Sequence, residues 1–259
     1  MINPKRKRLY VDIETSHNVG LFFRTGTKRN ISHKDILDER QIICIGYKWA
    51  HQKKVHCIEW DFKAKKGMRD KKILTDFSQV YAEADEVVTQ NGDKFDIKWI
   101  QGRMAILRLP PLTPIPQLDM LKLNRKHFNW NCHKQDYVDH LMGGTGKIPM
   151  DGLDWKRIEI NNDRKILKKM MDYCKKDVLD LERDFTMLEP YYIGKMNKHY
   201  EGLHGSSCSV CNLGILTKSG WYTYEEKAPR RKYKCNHCGK MRIDSRELKE
   251  DLYEKRVYE

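Results

Sequence analysis

One segment near the start of the chain, Val11-Asp12-Ile13-Glu14-Thr15, limits the fold more than any other. Residues 9–13 are apolar apart from Asp12 and read as a buried strand. Side chains alternate faces along a strand, so Asp12 and Glu14 share one face, about 6–7 Å apart at their Cα atoms, while Val11 and Ile13 share the other. Two carboxylates beside a core are costly unless positive charge lies between them, and a divalent cation is the usual remedy. Chance is the competing explanation, since acid-x-acid triplets are common in a chain with 36 acids among 259 residues.

The surrounding pattern predicts a mixed α/β core. Gln41–Ala50 and Lys54–Asp61 are rich in isoleucine, valine and aromatics and read as strands. His51-Gln52 between them suits an antiparallel hairpin. Ile73, Leu74, Phe77 and Tyr81 recur at helical spacing within Asp70–Ala82. Glu86–Thr89 reads as a strand, Phe95–Leu107 as a helix, and Ile115–Leu118 as a strand after a proline-rich turn. Leu121–His127 and Gln135–Leu141 read as helices, followed by a Gly-Gly-Thr-Gly break. Arg164–Glu189 keeps a helical period up to Pro190, and residues 15–40, without a period, read as a long loop. Three strands, then helix, strand, helix, strand and further helices make an α/β order.

Two more motifs carry acids. Asn91-Gly92 is turn chemistry directly after Glu86–Thr89. Asp96 then falls in the first turn of the next helix, where the helix dipole alone favours an acid. Tyr173 and Asp177, four apart in the long helix, share a face with Val178 and Leu181. An aspartate facing inward needs a partner; a surface Asp177 paired with Lys176 or Arg183 is the alternative.

Taken together, Asp-x-Glu-Thr, Asn-Gly-x-x-Phe-Asp and Tyr-x-x-x-Asp resemble the ordered signature of the DEDD 3′–5′ exonuclease superfamily, in its tyrosine-bearing branch. The chain is similar to the exonuclease domain of family B DNA polymerases and to its free-standing bacterial and phage relatives over about residues 8–190. The resemblance implies a ribonuclease H-like fold, a mixed five-stranded sheet flanked by helices. It implies that Asp12, Glu14, Asp96 and Asp177 bind two Mg²⁺ or Mn²⁺ ions, and that Tyr173 orients the attacking water. Hard oxygen donors suit those ions better than zinc. Thr15, Asn91 and Phe95 match substrate-contacting positions; the plainer readings of Asn91 and Phe95 are a turn residue and a core aromatic. The chain departs from the family at Thr89-Gln90, where close relatives often carry a histidine. The implied activity is a 3′–5′ exonuclease on DNA, in replication or repair. An RNA substrate, or an inactive nucleic-acid-binding module on the same fold, are the alternatives.

Cys208-x-x-Cys211 and Cys235-x-x-Cys238 are two knuckles separated by 23 residues. Together they complete a tetrahedral Cys₄ site for one structural Zn²⁺, with an iron–sulfur cluster as the other metal to consider. Trp221–Tyr224 and Lys232–Lys234 read as hairpin strands of a zinc ribbon. Lys218, Lys227, Arg230, Arg231, Lys232 and Lys234 lie among Trp221, Tyr222, Tyr224 and Tyr233, a mixture suited to single-strand binding; a structural or protein-docking ribbon is the alternative. The expected division is a catalytic domain at 1–195, the ribbon at 204–245 and a short charged tail at 246–259.

Lysine plus arginine exceeds aspartate plus glutamate by 50 to 36, a net +14 that suits a nucleic-acid partner. DNA is the expected partner ahead of RNA, with a DNA polymerase or another replication protein beside it. No apolar run approaches the roughly 20 residues of a membrane span, and the basic start reads as neither a secretory signal nor a nuclear address. Scattered cysteines suit a reducing cytoplasm, in a bacterial cell or a phage-infected host. Composition does not reach the oligomeric state. Gly143-Gly144-Thr145-Gly146-Lys147 falls short of a phosphate loop because Leu141 and Ile148 stand where that motif needs glycine and a hydroxyl residue. It reads as a flexible loop, and Asp119 as the cap of the helix after it.

Overall fold

The structure, a computed structural model, describes residues 7–21, 32–192, 207–208, 210–211, 213–222 and 230–243. Part of the basic arm (Lys5 and Arg6), the expected linker at 195–206, Thr223, Tyr224, Lys227 and the tail lie outside them. The chain divides into two compact units, one spanning Lys5–Met187 and one holding the cysteine quartet.

The first unit runs β1 (Arg8–Thr15), β2 (Val19–Gly20), β3 (Ile36–Asp38), β4 (Ile42–Trp49), β5 (Val55–Glu59), α1 (Lys71–Ala82), β6 (Glu86–Thr89), α2 (Asp96–Ile106), β7 (Gln117–Asp119), α3 (Met120–His127), α4 (Gln135–Leu141), α5 (Gly152–Asn161) and α6 (Arg164–Leu188). Five strands form one mixed sheet in the order β5-β4-β1-β6-β7. β1 lies in the middle, antiparallel to β4 and parallel to β6, and β6 is parallel to β7. Its central place fits its sequence, since Leu9, Val11 and Ile13 are all buried. The α1 residues Ile73, Leu74, Phe77 and Tyr81 are buried too, as their spacing predicts.

The long helix α6 buries Leu167, Met170, Cys174, Val178, Leu181 and Phe185, a stripe at three- and four-residue steps. Gly46 in β4 lets it come close. A Cβ there would lie 2.8 Å from Cys174 Sγ and 3.2 Å from the Cys174 carbonyl oxygen, so any side chain would push the helix off the sheet. A second anchor lies between α1, α2 and β4. Arg103 donates through Nε and Nη2 to both carboxylate oxygens of Asp70, at 2.7 and 2.9 Å, with both residues fully buried. Asp70 Oδ2 also accepts the Ile42 amide at 3.1 Å, and Arg103 Nη2 donates to the Gly67 carbonyl at 2.7 Å.

Two stretches differ from the sequence reading. Residues 15–40, expected as a loop, contain the two-stranded β2–β3 ladder, whose strands are too short to show a period. Helix α5 was not expected, because it buries only Asp154 and Ile158 and so has no apolar stripe. Its readable signal is the Asp151/Asp154 capping box, a variant of the usual serine–glutamate form.

The second unit contains β8 (Leu216–Tyr222), β9 (Arg230–Cys235) and β10 (Met241–Ile243), an antiparallel sheet in the order β10-β9-β8. Its buried centre is Cys208, Leu216, Tyr233 and Cys235.

Candidate active site

Alternation along β1 turns Asp12 and Glu14 away from buried Val11 and Ile13, and both acids are half-buried. Asp177, four residues after Tyr173 on α6, is buried and faces them. One carboxylate oxygen from each of Asp12, Glu14 and Asp177 falls within 4.8 Å of the other two. Asp96 opens α2 and is not in that trio. Its Oδ1 accepts the Ile13 amide at 3.2 Å, the N–H that lies between the two β1 acids. It thus abuts the cluster and is more than a partner for the helix dipole.

The electrostatics are those of an acidic cluster only partly compensated by one neighbouring cation. Burial pushes Asp12 well above the ordinary carboxylate range, and the charges of Asp96, Glu14 and Asp177 push it further. Burial and Asp177 raise Glu14 to about 8, and burial raises Asp96 to about 7. Burial also raises Asp177, against the pull of Lys147. Asp177 Oδ1 is buried without a hydrogen-bond partner among the described residues. Raised, mutually repelling carboxyls with an orphaned oxygen are the donor set that divalent cations satisfy.

Lys147 supplies the one ammonium that reaches this cluster among the described ion pairs. Its Nζ donates to Asp177 Oδ2 at 2.9 Å and to the Tyr173 hydroxyl at 3.1 Å. Burial pulls against its charge, but Asp177 and Tyr173 more than offset that and hold it above the ordinary lysine range. The sequence reading missed this residue. Its loop is held by Asp139, whose carbonyl accepts the Gly144 amide at 2.7 Å and whose Oδ2 accepts the Gly146 amide at 3.0 Å. Arg183 of α6 pairs with Asp139 and donates to Asp184 Oδ1 at 2.6 Å. A Cβ on Gly144 would lie 2.1 Å from Asp139 Oδ1, so the glycine is there to let the carboxylate in.

Beside Lys147 opens a cleft of about 590 Å³ whose lining includes Gln90, Asn91, Arg125, His133, Lys134 and Lys147. Asn91 has φ 68°, the left-handed turn its Asn-Gly pair predicts, and its amide donates to Asp119 Oδ1 at 2.9 Å. Asp119 caps α3 through the amides of Leu121 and Lys122. Phe95 packs against the core, and Thr15 ends β1, half-buried, after an irregularity in the ladder.

The four ribbon cysteines also converge. Cys208 and Cys238 sulfurs lie 3.7 Å apart, as do those of Cys211 and Cys235, and all four fall within 4.8 Å of one another. Amides of Val210 and His237 point at Cys208 and Cys235 sulfurs, each at 3.4 Å. A tetrahedron with Zn–S bonds of about 2.3 Å has edges of about 3.8 Å, so the quartet fits such an ion.

A family model described as the RNase_H superfamily matches residues 33–187. This chain belongs to the RNase H superfamily. Asp96, Lys147, Tyr173 and Asp177 lie within the matched segment; Asp12 and Glu14 precede it and join through the β1–β4 ladder. Among solved structures, the family B DNA polymerase from the hyperthermophilic archaeon Pyrobaculum calidifontis is similar, at 17% identity and a TM-score of 0.53. The alignment covers 72% of this chain and 25% of the polymerase, so the chain spans about a quarter of that protein. No curated protein matches the chain. The match and the neighbour bear out the resemblance carried by the ordered motifs and the ribonuclease H-like fold expected from it. No helix among the described residues is long and apolar enough to cross a membrane.

The raised acids make a prediction for the RNase H-like unit. In the folded state they hold protons to higher pH than in the unfolded chain, so their stabilising contribution is complete below about pH 4. It is lost as pH rises through about 7 for Asp96 and about 8 for Glu14. Without added Mg²⁺, the melting temperature is expected to fall across this window, and added Mg²⁺ is expected to raise it most at the alkaline end. A melting profile over pH with and without Mg²⁺ checks this; a flat difference would contradict the acid cluster as the cation site.

Proposed function

We propose that this chain is a two-metal-ion 3′–5′ exonuclease that hydrolyses phosphodiester bonds of DNA. The convergence of Asp12 and Glu14 on β1 with Asp177 on α6, within 4.8 Å in an RNase H-superfamily unit, carries this reading. With Asp96 they would hold two Mg²⁺ or Mn²⁺ ions, which activate water and stabilise charge on the entering and leaving oxygens at phosphorus. Tyr173, whose hydroxyl accepts from Lys147 beside Asp177, would orient that water. Lys147 keeps Tyr173 and Asp177 in register and adds positive charge where a phosphate arrives. The neighbouring cleft, with Asn91 at its wall and Arg125 and Lys134 in its lining, takes the end of the strand. Thr15 and Phe95 border the same acids in sequence and support the substrate end. The solved neighbour being a DNA polymerase favours DNA.

The ribbon holds one structural Zn²⁺ in Cys208, Cys211, Cys235 and Cys238, and its basic residues add affinity for the substrate. The protein serves replication or repair in the cytoplasm of a bacterial cell or phage-infected host, beside a polymerase or another replication protein. The direct test offers 5′-labelled DNA and RNA oligonucleotides with Mg²⁺, Mn²⁺ or EDTA. A one-nucleotide ladder on DNA is the expected result. A ladder on RNA alone would reassign the substrate, and no cleavage of either would leave an inactive binding module.

Tyr173→Phe removes one hydroxyl and no metal donor. It is expected to slow cleavage by about 10²–10⁴-fold, as for a positioned proton-handling group, and to cost less than loss of Asp177. An unchanged rate would make Tyr173 a packing residue. For the ribbon, residues 195–240 carry nine Lys/Arg against three acids. Cys235→Ser should release the metal on which so small a sheet depends. Oligonucleotide affinity is then expected to fall. The log–log salt slope should shrink by about 0.7 for each phosphate of a single strand that the ribbon no longer neutralises. Equal slopes would reduce the ribbon to a structural or protein-docking element.

A further inference from the structure

Three cysteines outside the ribbon meet inside the RNase H-like unit. Cys44 lies on β4, Cys57 on β5 and Cys174 on α6. The ladder pairs Gly46 with Cys57 and Cys44 with Glu59, so Cys44 and Cys57 project from one face of the sheet as diagonal neighbours. Gly46, between them on that face, has no side chain, and Cys174 Sγ takes the vacant volume, 2.8 Å from where a Cβ would stand. The three sulfurs lie within 4.8 Å of one another. Cys44 and Cys174 are fully buried, while Cys57 is half-buried and gives the cluster its access to solvent.

Buried cysteine commonly serves as a small apolar residue. Packing alone does not require three sulfurs from three separate elements to converge. These donors also have a polar neighbour, since Cys174 Sγ lies 3.4 Å from Asp12 Oδ2 and 3.5 Å from the Asp12 carbonyl oxygen. Thiolate sulfur selects soft, thiophilic cations over the hard cations that suit the carboxylates next door. The ladder sets Asp12 opposite Gly46 and Glu14 opposite Cys44, so two sites of opposite chemical preference stand side by side on one face of the sheet.

We propose that Cys44, Cys57 and Cys174 form a second sulfur site that binds a soft d¹⁰ cation such as Cd²⁺, Zn²⁺ or Cu⁺ directly beside the acid cluster. Each thiol gives up its proton on ligation. Cys174 then has no S–H to offer Asp12, so occupancy of the sulfur site changes the surroundings of the acid closest to it.

The test uses the full chain under reducing conditions with Cd²⁺ as probe and excess Mg²⁺ present to hold the carboxylates. Cadmium–thiolate absorbance reports sulfur ligation alone, and metal analysis after desalting gives the stoichiometry. The parent is expected to retain two Cd²⁺ per chain and both Cys57→Ser and Cys235→Ser one each, so that the two sulfur sites are lost independently. Cys57 is half-buried, so its serine variant is expected to keep the parent's melting temperature, which is checked alongside. Equal cadmium content and absorbance in the parent and Cys57→Ser would overturn the proposal. So would a parent whose triad thiols are found joined as a disulfide by mass under the same conditions. Neither readout uses nuclease activity, so the result stands apart from the catalytic reading.

Discussion

Asp177→Ala is expected to abolish cleavage while the protein stays folded. The carboxylate is buried in α6, one of its oxygens lies within 4.8 Å of Asp12 and Glu14 oxygens, and Oδ1 has no protein partner among the described residues. Removing a cation ligand takes away water activation and charge stabilisation together. The rate should therefore drop further than the roughly 10²–10³-fold of a single hydrogen-bond donor. Stability should move the other way. Without added divalent cation, deleting one of several crowded, buried acids relieves the cluster, most as pH rises through about 8, where Glu14 ionises as well, and Lys147, about one-third exposed, can return to water. The melting temperature of Asp177→Ala, measured without Mg²⁺, is expected to equal or exceed the parent's, and Asp12→Ala should behave alike. Cleavage at the parent rate in either variant would remove the acid cluster from the mechanism. Loss of activity together with unfolding would leave the assignment unsupported.

Arg103→Ala is expected to give the largest loss of stability. The guanidinium is fully buried, with Nε and Nη2 on the two oxygens of Asp70. Truncation leaves the Asp70 carboxylate in the interior with the Ile42 amide as its remaining partner among these bonds. Breaking a buried pair by removing one member typically costs about 3–5 kcal/mol. Chemical denaturation of Arg103→Ala should show a shift of that order, and Arg103→Met, which restores volume but not charge, should fall in the same direction. If the double replacement Asp70→Leu with Arg103→Met is no more stable than Arg103→Ala, the cost lies in packing and not in the stranded charge.

Much of this arrangement is legible in the chain. Alternation gave the two faces of β1, and three- and four-residue spacing gave α1 and α6. Those are the elements in which a single apolar face does most of the packing. The ordered acid motifs likewise mark residues that the fold brings together. Asp96 is the partial case. The sequence allows a dipole partner or a cation ligand, and the fold sets it against the amide between Asp12 and Glu14. Lys147 could not be read, because its place depends on Asp139 and Arg183, residues 8 and 36 positions away that leave no periodic mark. The same applies to Asp70 and Arg103, which lie 33 residues apart. Helix α5 escaped because a helix without an apolar stripe is visible only through its caps.

The loop before Lys147 resembles a phosphate cradle in composition, and it closes on an anion of its own, the carboxylate of Asp139. That has a thermodynamic consequence for any substrate. Fixing one residue's backbone costs about 1–2 kcal/mol of conformational entropy. In a loop that closes only around its ligand, that cost subtracts from affinity. Here it falls on folding, because Asp139, itself paired with Arg183, holds the amides of Gly144 and Gly146 through bonds within the chain. Lys147 is therefore preorganised, and an incoming strand meets an ammonium already in place.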